Sequence, residues 1–206
     1  MKIGIMGGTF DPVHIGHLLL GQFAYEQFDL DEIWFLPNGN PPHKNTFNEG
    51  AEFNDRAGMI AEAINDVPYF KLSYHEATPG HHYTYKTLIE FHELYPDHEY
   101  YFILGADSLF SIETWKYYRE IFPSCTILAA MRDDKDTEDM KRQIAYLQTS
   151  YNAHIELLRA PLLEISSTTI RNRVATDLSV KYMVPSEVEK YIIDNKLYID
   201  EKAGDM

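Results

Sequence analysis

The stretch GGTFDPVHIGH, residues 7–17, directly follows an apolar run at residues 2–6. A short apolar run that ends in glycines and leads into a helical pattern is typical of the first strand-to-helix turn of a parallel sheet. In such sheets, ligands bind beyond the carboxyl ends of the strands, and this turn is a favoured position. The stretch therefore predicts an α/β fold with a ligand site near the N-terminus.

Five further apolar runs support a parallel sheet. They are nearly continuous in apolar character, as expected of strands covered on both faces, and segments with helical spacing separate them. We therefore predict an α/β fold with a Rossmann-like, doubly wound parallel sheet. The five runs are residues 32–36, 70–74, 99–104, 126–131 and 155–158.

The C-terminal part has a different pattern, with two helical segments and little strand between them. The second helix is predicted to begin at Pro185-Ser186, with Glu187 and Glu189 in its first turn. The sequence contains no internal repeat and no flexible linker. We predict a single domain over residues 1–206, with a small helical C-terminal appendage over about 166–206.

The composition is that of an ordinary globular protein, and the charge limits the partners. The chain of 206 residues is long enough for one sizeable domain with its own core. Of these residues, 45% are hydrophobic and 24% are charged. Eighteen lysines and arginines against 32 aspartates and glutamates give a net charge of −14. This charge, without a basic run, disfavours nucleic acid and membrane surfaces as partners, whereas small anionic ligands fit a local pocket.

Cysteine usage and the N-terminal sequence favour the cytoplasm. The single Cys125 excludes an intramolecular disulfide or a cysteine metal cluster, and we expect it to be a buried apolar residue. The sequence shows no signal-peptide pattern and no apolar stretch of bilayer length. We therefore expect a cytoplasmic protein.

The opening stretch has the features of an anion site. Gly7 and Gly8 allow a ligand to approach the backbone closely, and Asp11-Pro12 is a suitable N-cap and first-turn pair for a helix that runs to about Phe28. Backbone N–H groups and the positive helix end then face the ligand. His14 and His17, at i and i+3, share one face of the first turn and converge on the same anion.

Three other interpretations of this stretch remain open on spacing alone. Gly4, Gly7 and Gly8 do not have the G-x-G-x-x-G spacing of dinucleotide-binding dehydrogenases. A zinc site needs two more ligands, and the nine histidines form no H-E-x-x-H pattern. A glycine turn with two histidines at the start of a core helix needs no ligand at all.

The order of residues in 7–17 resembles the G-G-[ST]-F-x-P-x-H-x-G-H signature of the nucleotidyltransferase superfamily that carries an H-x-G-H motif. The resemblance implies that the two histidines hold the phosphates of a nucleoside triphosphate. It is specific because several residue types recur in order.

A second motif, ISSTTIR at residues 165–171, follows the last predicted strand. Its serines and threonines supply hydrogen-bond donors at a helix start, and the planar guanidinium of Arg171 is suited to binding phosphate. By itself it is equally an ordinary capped helix with an exposed arginine. It resembles the I-S-S-T-x-I-R signature of adenylyltransferases in this superfamily, which implies contacts from Ser167, Thr168 and Arg171 to ATP phosphates.

A third motif, PNGNPPHK at residues 37–44, follows the second predicted strand. Its prolines stiffen a loop in which Asn38, His43 and Lys44 supply donors and a cation for a second phosphate, although a solvent-exposed proline turn would look the same. It is similar to the P-N-x-x-P-P-H-[KR] loop of bacterial nicotinate mononucleotide adenylyltransferases. The resemblance implies that the loop faces the mononucleotide.

Two shorter matches fall near the predicted nucleotide site. The segment LGADSL, residues 104–109, resembles the family's G-A-D segment, so Asp107 would orient a ribose hydroxyl or lie near a magnesium ion, or else serve as a helix N-cap. The family places a tryptophan where Trp115 stands, for stacking on the pyridine ring, although Trp115 fits a core position equally well.

The last match, HYTYKT at residues 82–87, corresponds to the family's S-Y-T-x-D-T. Tyr83, Thr84 and Thr87 are kept, and Thr84 would open a helix whose N–H groups receive the nicotinate carboxylate. His82 and Lys86 depart from the pattern, so the resemblance does not carry over a role for the acidic position.

The resemblance implies adenylyl transfer from ATP to nicotinate mononucleotide, which gives deamido-NAD and pyrophosphate. Because a phosphate monoester is already an anion, catalysis would rest on positioning and charge stabilisation by His14, His17, Lys44 and Arg171. The implied ATP contacts are Gly8, Thr9, Phe10, His14, His17, Gly105, Asp107, Ile165, Ser167, Thr168 and Arg171. The implied mononucleotide contacts are Asn38, His43, Lys44, Tyr83, Thr84 and Trp115.

The implied cofactor is Mg²⁺ carried by the ATP phosphates, with no protein metal site. The expected partners are ATP and nicotinate mononucleotide, with a homodimer possible. Three alternatives share the H-x-G-H motif: an enzyme acting on nicotinamide mononucleotide or on another phosphomonoester such as phosphopantetheine, a cytidylyltransferase, and a catalytically silent nucleotide-binding protein.

Overall fold

The fold is a single six-stranded parallel sheet covered by helices on both faces. A computed structural model describes residues 1–39, 50–78, 80, 82–131, 137–161 and 163–199. The strands are β1 (Lys2–Gly8), β2 (Glu32–Pro37), β3 (Phe70–Leu72), β4 (Glu99–Gly105), β5 (Thr126–Ala130) and β6 (His154–Leu158). Their ends differ from the predicted ones by one or two residues, so the predicted strands are confirmed.

The strand order is β3-β2-β1-β4-β5-β6. Strands β1, β2 and β3 therefore form one half of the sheet, and β4, β5 and β6 form the other half, with β1 next to β4. The crevice between these two halves lies beyond the carboxyl ends of β1 and β4, and open sheets of this order bind ligands there. Gly8 ends β1 and Gly105 ends β4, so both glycines flank the crevice.

Both faces of the sheet are buried, which explains the continuous apolar runs. Phe102 and Leu104 belong to the core cluster on one face, and Ile103, between them, belongs to the cluster on the other face. Successive side chains of a strand point to opposite faces. A strand covered by helices on both sides must therefore be apolar at every position.

The helices that cover the sheet are α1 (Ile15–Phe28), α2 (Phe53–Ile64), α3 (Thr84–Leu94), α4 (Ala106–Ser111), α5 (Thr137–Tyr151), α6 (Ser167–Ala175) and α7 (Ser186–Asp194). Within the described ranges, none of the helices is long and apolar enough to span a membrane.

The C-terminal helices form as the sequence predicts. Ser166 caps α6, and its Oγ accepts a hydrogen bond from the Thr169 N–H at 3.1 Å. Helix α7 follows Pro185 and packs on α2, where the Tyr191 hydroxyl donates to Asp55 Oδ1 at 3.2 Å. The helical C-terminal part is confirmed, whereas the single-domain interpretation stays a prediction.

The predicted start of the first helix is wrong. Asp11-Pro12 does not cap α1; the N-cap is His14, and Asp11-Pro12 forms a turn with a cis peptide bond. The Asp11 side chain is 2% exposed, and its Oδ1 accepts the N–H of Ala51 at 2.9 Å. A carboxylate that binds a distant backbone group in the interior is not directed at the first turn of the helix that follows it.

Arg56 joins the loops that lead into the crevice. It lies on α2, is 1% exposed, and donates from Nη1 to the Thr9 carbonyl at 2.6 Å and from Nη2 to the Asn38 carbonyl at 2.9 Å. A third bond runs from Nε to the Ala51 carbonyl at 3.2 Å. Because guanidinium donors diverge in a rigid plane, one side chain fixes the ends of β1 and β2 relative to each other.

We expect Arg56→Lys to lower the free energy of unfolding by about 2–4 kcal/mol, because an ammonium cannot reach three divergent carbonyls and leaves buried acceptors unpaired. Equilibrium unfolding in urea measures this change. The matched control is Arg142→Lys on the exposed pair with Asp139, which should cost less than about 0.5 kcal/mol. Equal effects of the two substitutions would contradict the role given to Arg56.

Candidate active site

The two histidines of the opening stretch lie together at the start of α1. His14 is the N-cap, in extended backbone conformation (φ −145°, ψ 170°), and His17 is the third helical residue. Their rings stack with centroids 3.7 Å apart, which confirms the prediction that they share one face. A Cβ at Gly16 would lie 3.0 Å from His14 Nδ1. Glycine between the two histidines therefore leaves room for the stacked ring of His14.

The hydrogen bonds fix the tautomer of His17. Its Nδ1 accepts the backbone N–H of His14 at 3.2 Å. In a neutral imidazole the other nitrogen then carries the proton, so Nε2 of His17 is a donor. The edge-to-face contact with Phe10, at 5.0 Å between ring centroids, holds the ring in this orientation.

Both imidazoles are neutral at pH 7. Burial lowers the pKa of His14 to about 4. Burial, together with the neighbouring His14, lowers the pKa of His17 well below its usual range. His14 Nδ1 is buried and has no hydrogen-bond partner among the residues that the structure describes. The pair therefore offers uncharged ring nitrogens at the positive end of a helix.

The second motif reaches the same turn from α6. Ser167 Oγ donates to the Pro12 carbonyl at 2.9 Å, and Arg171 Nη1 donates to the Asp11 carbonyl at 2.7 Å. Arg171 Nη2 lies 3.4 Å from Thr168 Oγ1. Residues about 160 positions apart along the chain thus meet beside the histidines. Ile165, at the start of the motif, is partly buried against the core.

A cavity of about 290 Å³ opens beyond the carboxyl ends of β1 and β4. It lies at the crevice and shares Gly8 with the turn that leads to His14. Trp115 lines the cavity and also packs against the core, edge-on to Phe102 with ring centroids 6.4 Å apart. The predicted site residues that line this cavity are Gly8, Asn38, Thr84, Gly105 and Trp115.

Two other predicted residues, Tyr83 and Phe10, do not have their side chains in the cavity lining. Tyr83 is the N-cap of α3 and lies outside the cavity lining, with its ring near Tyr85 and Lys116. The Phe10 side chain is 2% exposed within the core, so a ligand would meet its backbone. His43 and Lys44 lie outside the described residues.

Asp107 lies in the first turn of α4 and is not the N-cap, which is Gly105. The capping alternative is therefore wrong. The backbone turns into the helix directly at the end of β4, which leaves Gly105 in the capping position. Ser108, on the same short helix, lines the cavity.

Glu76 is a buried acid in the cavity wall that the sequence did not single out. It is 8% exposed, and its Oε1 accepts the Thr87 hydroxyl at 2.6 Å. Burial raises its pKa, and the bond from Thr87 acts in the opposite direction. The bond joins the loop after β3 to α3. Glu76 therefore fixes the helix whose first residue, Thr84, faces the cavity.

Two more residues were missed, Arg56 and Tyr198. Arg56 interrupts the apolar stripe of α2, which includes Phe53 and Ile60, and that interruption is a usable signal for a buried cation. Asp11 and Tyr198 meet at 2.8 Å although they are 187 residues apart. No local pattern predicts this contact.

The described residues contain no group of three histidine, cysteine, aspartate or glutamate side chains that could hold a metal ion. The donors around the histidine pair are imidazole nitrogens, hydroxyls, a guanidinium and backbone N–H groups. These groups suit phosphate oxygens better than a bare cation.

Comparison with known proteins identifies relatives over nearly the whole chain. A family model described as cytidylyltransferase-like matches residues 5–173. A protein of Lachnoclostridium phytofermentans named probable nicotinate-nucleotide adenylyltransferase is 45% identical, over 96% of this chain and 99% of its own. A protein of Clostridium novyi with the same name is 38% identical, over 96% of this chain and 98% of its own.

The fold is similar to that of solved structures. The Plasmodium falciparum nicotinic acid mononucleotide adenylyltransferase complexed with NaAD aligns with a TM-score of 0.77 at 24% identity. The alignment covers 96% of this chain and 97% of that chain. At this identity the likeness supports the fold, and the predicted Rossmann-like architecture is confirmed.

The depressed pKa of His14 predicts a pH-dependent stability. The unfolded chain binds a proton at this residue near pH 6.5, and the folded chain only near pH 4, so acidification through this window favours unfolding. As the pH falls from 7 to 4, the free energy of unfolding of His14→Asn should rise by about 3 kcal/mol relative to that of wild type. Urea unfolding at several pH values measures this. Exposed His154→Asn serves as the control; a constant offset between His14→Asn and wild type would refute the assignment.

Proposed function

The chain belongs to the nicotinate-nucleotide adenylyltransferase family, and we propose that it transfers the adenylyl group of ATP to nicotinate mononucleotide. A phosphate oxygen of the mononucleotide attacks the α-phosphorus of ATP. The bond from that phosphorus to the oxygen bridging to the β-phosphate breaks. The products are deamido-NAD and pyrophosphate, and the reaction is a step of NAD biosynthesis.

The observation that carries this proposal is the adjacency of two sites at one edge of the sheet. The stacked, neutral histidines and Arg171 lie at the start of α1, and the cavity with Thr84 and Trp115 lies one short turn away across Gly8. A two-substrate reaction needs its reacting groups held next to each other. This arrangement provides separate places for a polyphosphate and for a ring-bearing monophosphate.

His17 and His14 would bind the triphosphate. Nε2–H of His17 donates to an oxygen that gains charge in the transition state, and the first-turn N–H groups of α1 add to this. Neutral donors avoid the desolvation of a buried cation before ATP arrives. Once the phosphates bind, their charge favours protonation of the imidazoles and strengthens these hydrogen bonds.

The start of α6 would hold the departing pyrophosphate. Ser167, Thr168 and Arg171 present hydroxyls and a guanidinium at a helix N-terminus, which is a favourable place for a phosphate. The bonds from Ser167 and Arg171 to the carbonyls of Pro12 and Asp11 fix them beside the histidines. Positioning before binding lowers the entropic cost of reaching the transition state.

The cavity would take the mononucleotide. Trp115 offers an aromatic face to the pyridine ring, and Thr84 begins α3, whose N–H groups favour the nicotinate carboxylate over a carboxamide. Asn38, at the end of β2, supplies an amide to the ribose or the phosphate. The assignment of His43 and Lys44 to the phosphate rests on the sequence motif.

Catalysis needs no general base, because the attacking phosphate is already an anion near neutral pH. The chain's residues therefore orient the two substrates and stabilise charge. Mg²⁺ would be carried by the ATP phosphates, with Asp107 as the carboxylate that the sequence motif suggests for it; when bound, it would neutralise phosphate charge and polarise the P–O bonds. A homodimer and a cytoplasmic location stay predictions from the sequence.

The test is the release of pyrophosphate from nicotinate mononucleotide, ATP and Mg²⁺. We expect turnover by the wild-type enzyme, and a loss of at least about 10²-fold in kcat for His17→Ala, since one transition-state donor is removed. The matched control is His154→Ala at an exposed position, which should keep wild-type activity. Absence of turnover by wild type, or equal activity of His17→Ala, would refute the proposal.

A parallel assay with nicotinamide mononucleotide and with phosphopantetheine addresses the alternatives. We expect the highest kcat/KM with nicotinate mononucleotide. A higher value with either of the other acceptors would reassign the substrate while leaving adenylyl transfer in place.

A further inference from the structure

Asp11 lies at the centre of the phosphate-binding region, three residues before His14. Its carboxylate is buried, and Oδ1 accepts two hydrogen bonds from distant parts of the chain. The backbone N–H of Ala51 lies at 2.9 Å and the hydroxyl of Tyr198 at 2.8 Å. The C-terminal segment after α7 is therefore in direct contact with the turn between β1 and α1.

Arg171 lies beside this carboxylate without a hydrogen bond to it. Nη1 of Arg171 donates to the backbone carbonyl of Asp11 at 2.7 Å, whereas Oδ2 of Asp11 is 3.8 Å away. This separation exceeds hydrogen-bond length, although the charges still attract each other. The Arg171 side chain is 30% exposed. The guanidinium is therefore held in place and can still meet a ligand.

The backbone after α7 turns so that the Tyr198 hydroxyl reaches Asp11. Lys196 and Tyr198 have positive φ values of 51° and 63°, a conformation that non-glycine residues adopt at some cost. Burial and the adjacent Asp11 raise the pKa of the Tyr198 phenol. The hydroxyl therefore stays protonated and donates to Asp11 throughout the neutral range.

We propose that Tyr198 is a positioning residue for ATP: its hydroxyl holds the Asp11 carboxylate so that Arg171 remains available to the triphosphate. This inference rests on the proposed function, in which Arg171 binds phosphate. Through Tyr198 the segment after α7 thereby becomes part of the ATP site, although the hydroxyl acts on Asp11 and not on the nucleotide.

The reason is that the Asp11 carboxylate and the triphosphate compete for the guanidinium of Arg171. A buried carboxylate that loses a donor gains most from a new charged partner. Arg171 is a charged donor already within 4 Å of the Asp11 carboxylate. Rotation of the released carboxylate toward Arg171 would form a bidentate arginine–carboxylate salt bridge. That bridge uses the same guanidinium N–H groups that would otherwise bind a phosphate. Tyr198 prevents that rotation by occupying Oδ1 together with the N–H of Ala51.

The experiment compares Tyr198→Phe with wild type. We expect the Kd values of ATP and of inorganic tripolyphosphate, measured by calorimetry, to rise about three- to tenfold on loss of one hydrogen bond to a charged group. The KM for ATP should rise with them. The KM for nicotinate mononucleotide and kcat should change less than about twofold, because Asp11 does not face the cavity. Tyr182→Phe, at a side chain that is 82% exposed, is the matched control and should leave all values unchanged.

A double-substitution cycle tests the route of the effect. In an Arg171→Met background, Tyr198→Phe should no longer weaken tripolyphosphate binding, because the residue through which it acts is gone. An additive effect in that background, an equal rise in the KM for both substrates, or no effect on tripolyphosphate affinity overturns the inference. Tripolyphosphate binding does not depend on turnover, so a failure of pyrophosphate release refutes the proposed function separately from this result.

Discussion

The turn between β1 and α1 is held by buried charge, and the arrangement of the active site depends on it. Arg56 anchors the carbonyls of Thr9 and Asn38, and the Asp11 carboxylate binds Ala51 and Tyr198. Buried charges are stable only when they are paired and hydrogen-bonded. The loops can therefore satisfy both side chains only in a narrow set of positions, and those positions place His14 and His17 at the crevice.

A protein with a net charge of −14 can bind two phosphate compounds because its attraction for anions is local. The first residue of α6 contacts the turn that precedes α1, and Arg171 adds a cation there. The histidines contribute donors without permanent charge, since burial keeps them neutral. In the proposed function the imidazoles gain charge only when phosphate binds, so the site does not have to stabilise a cluster of buried cations beforehand.

Sequence reasoning identified the features that depend on short-range patterns. Strand positions followed from apolar runs, the shared face of His14 and His17 from their spacing, and a helix cap within residues 166–168 from residue type. The predicted cap at Asp11 was wrong because its partners, Ala51 and Tyr198, lie 40 and 187 residues away. Glu76 and Tyr198 gave no local signal, whereas Arg56 was detectable as a charge within an apolar helix face. Resemblance to a family suggested the site residues, but not the contacts that hold them in place.

The central claim is that the α-phosphorus of ATP is transferred to the mononucleotide. Incubation of the enzyme and nicotinate mononucleotide with ATP labelled at either the α- or the γ-phosphate tests this most directly. The account predicts that α-label appears in deamido-NAD and that γ-label appears in pyrophosphate. Transfer of γ-label to the mononucleotide, or release of α-label as AMP without dinucleotide, would contradict it.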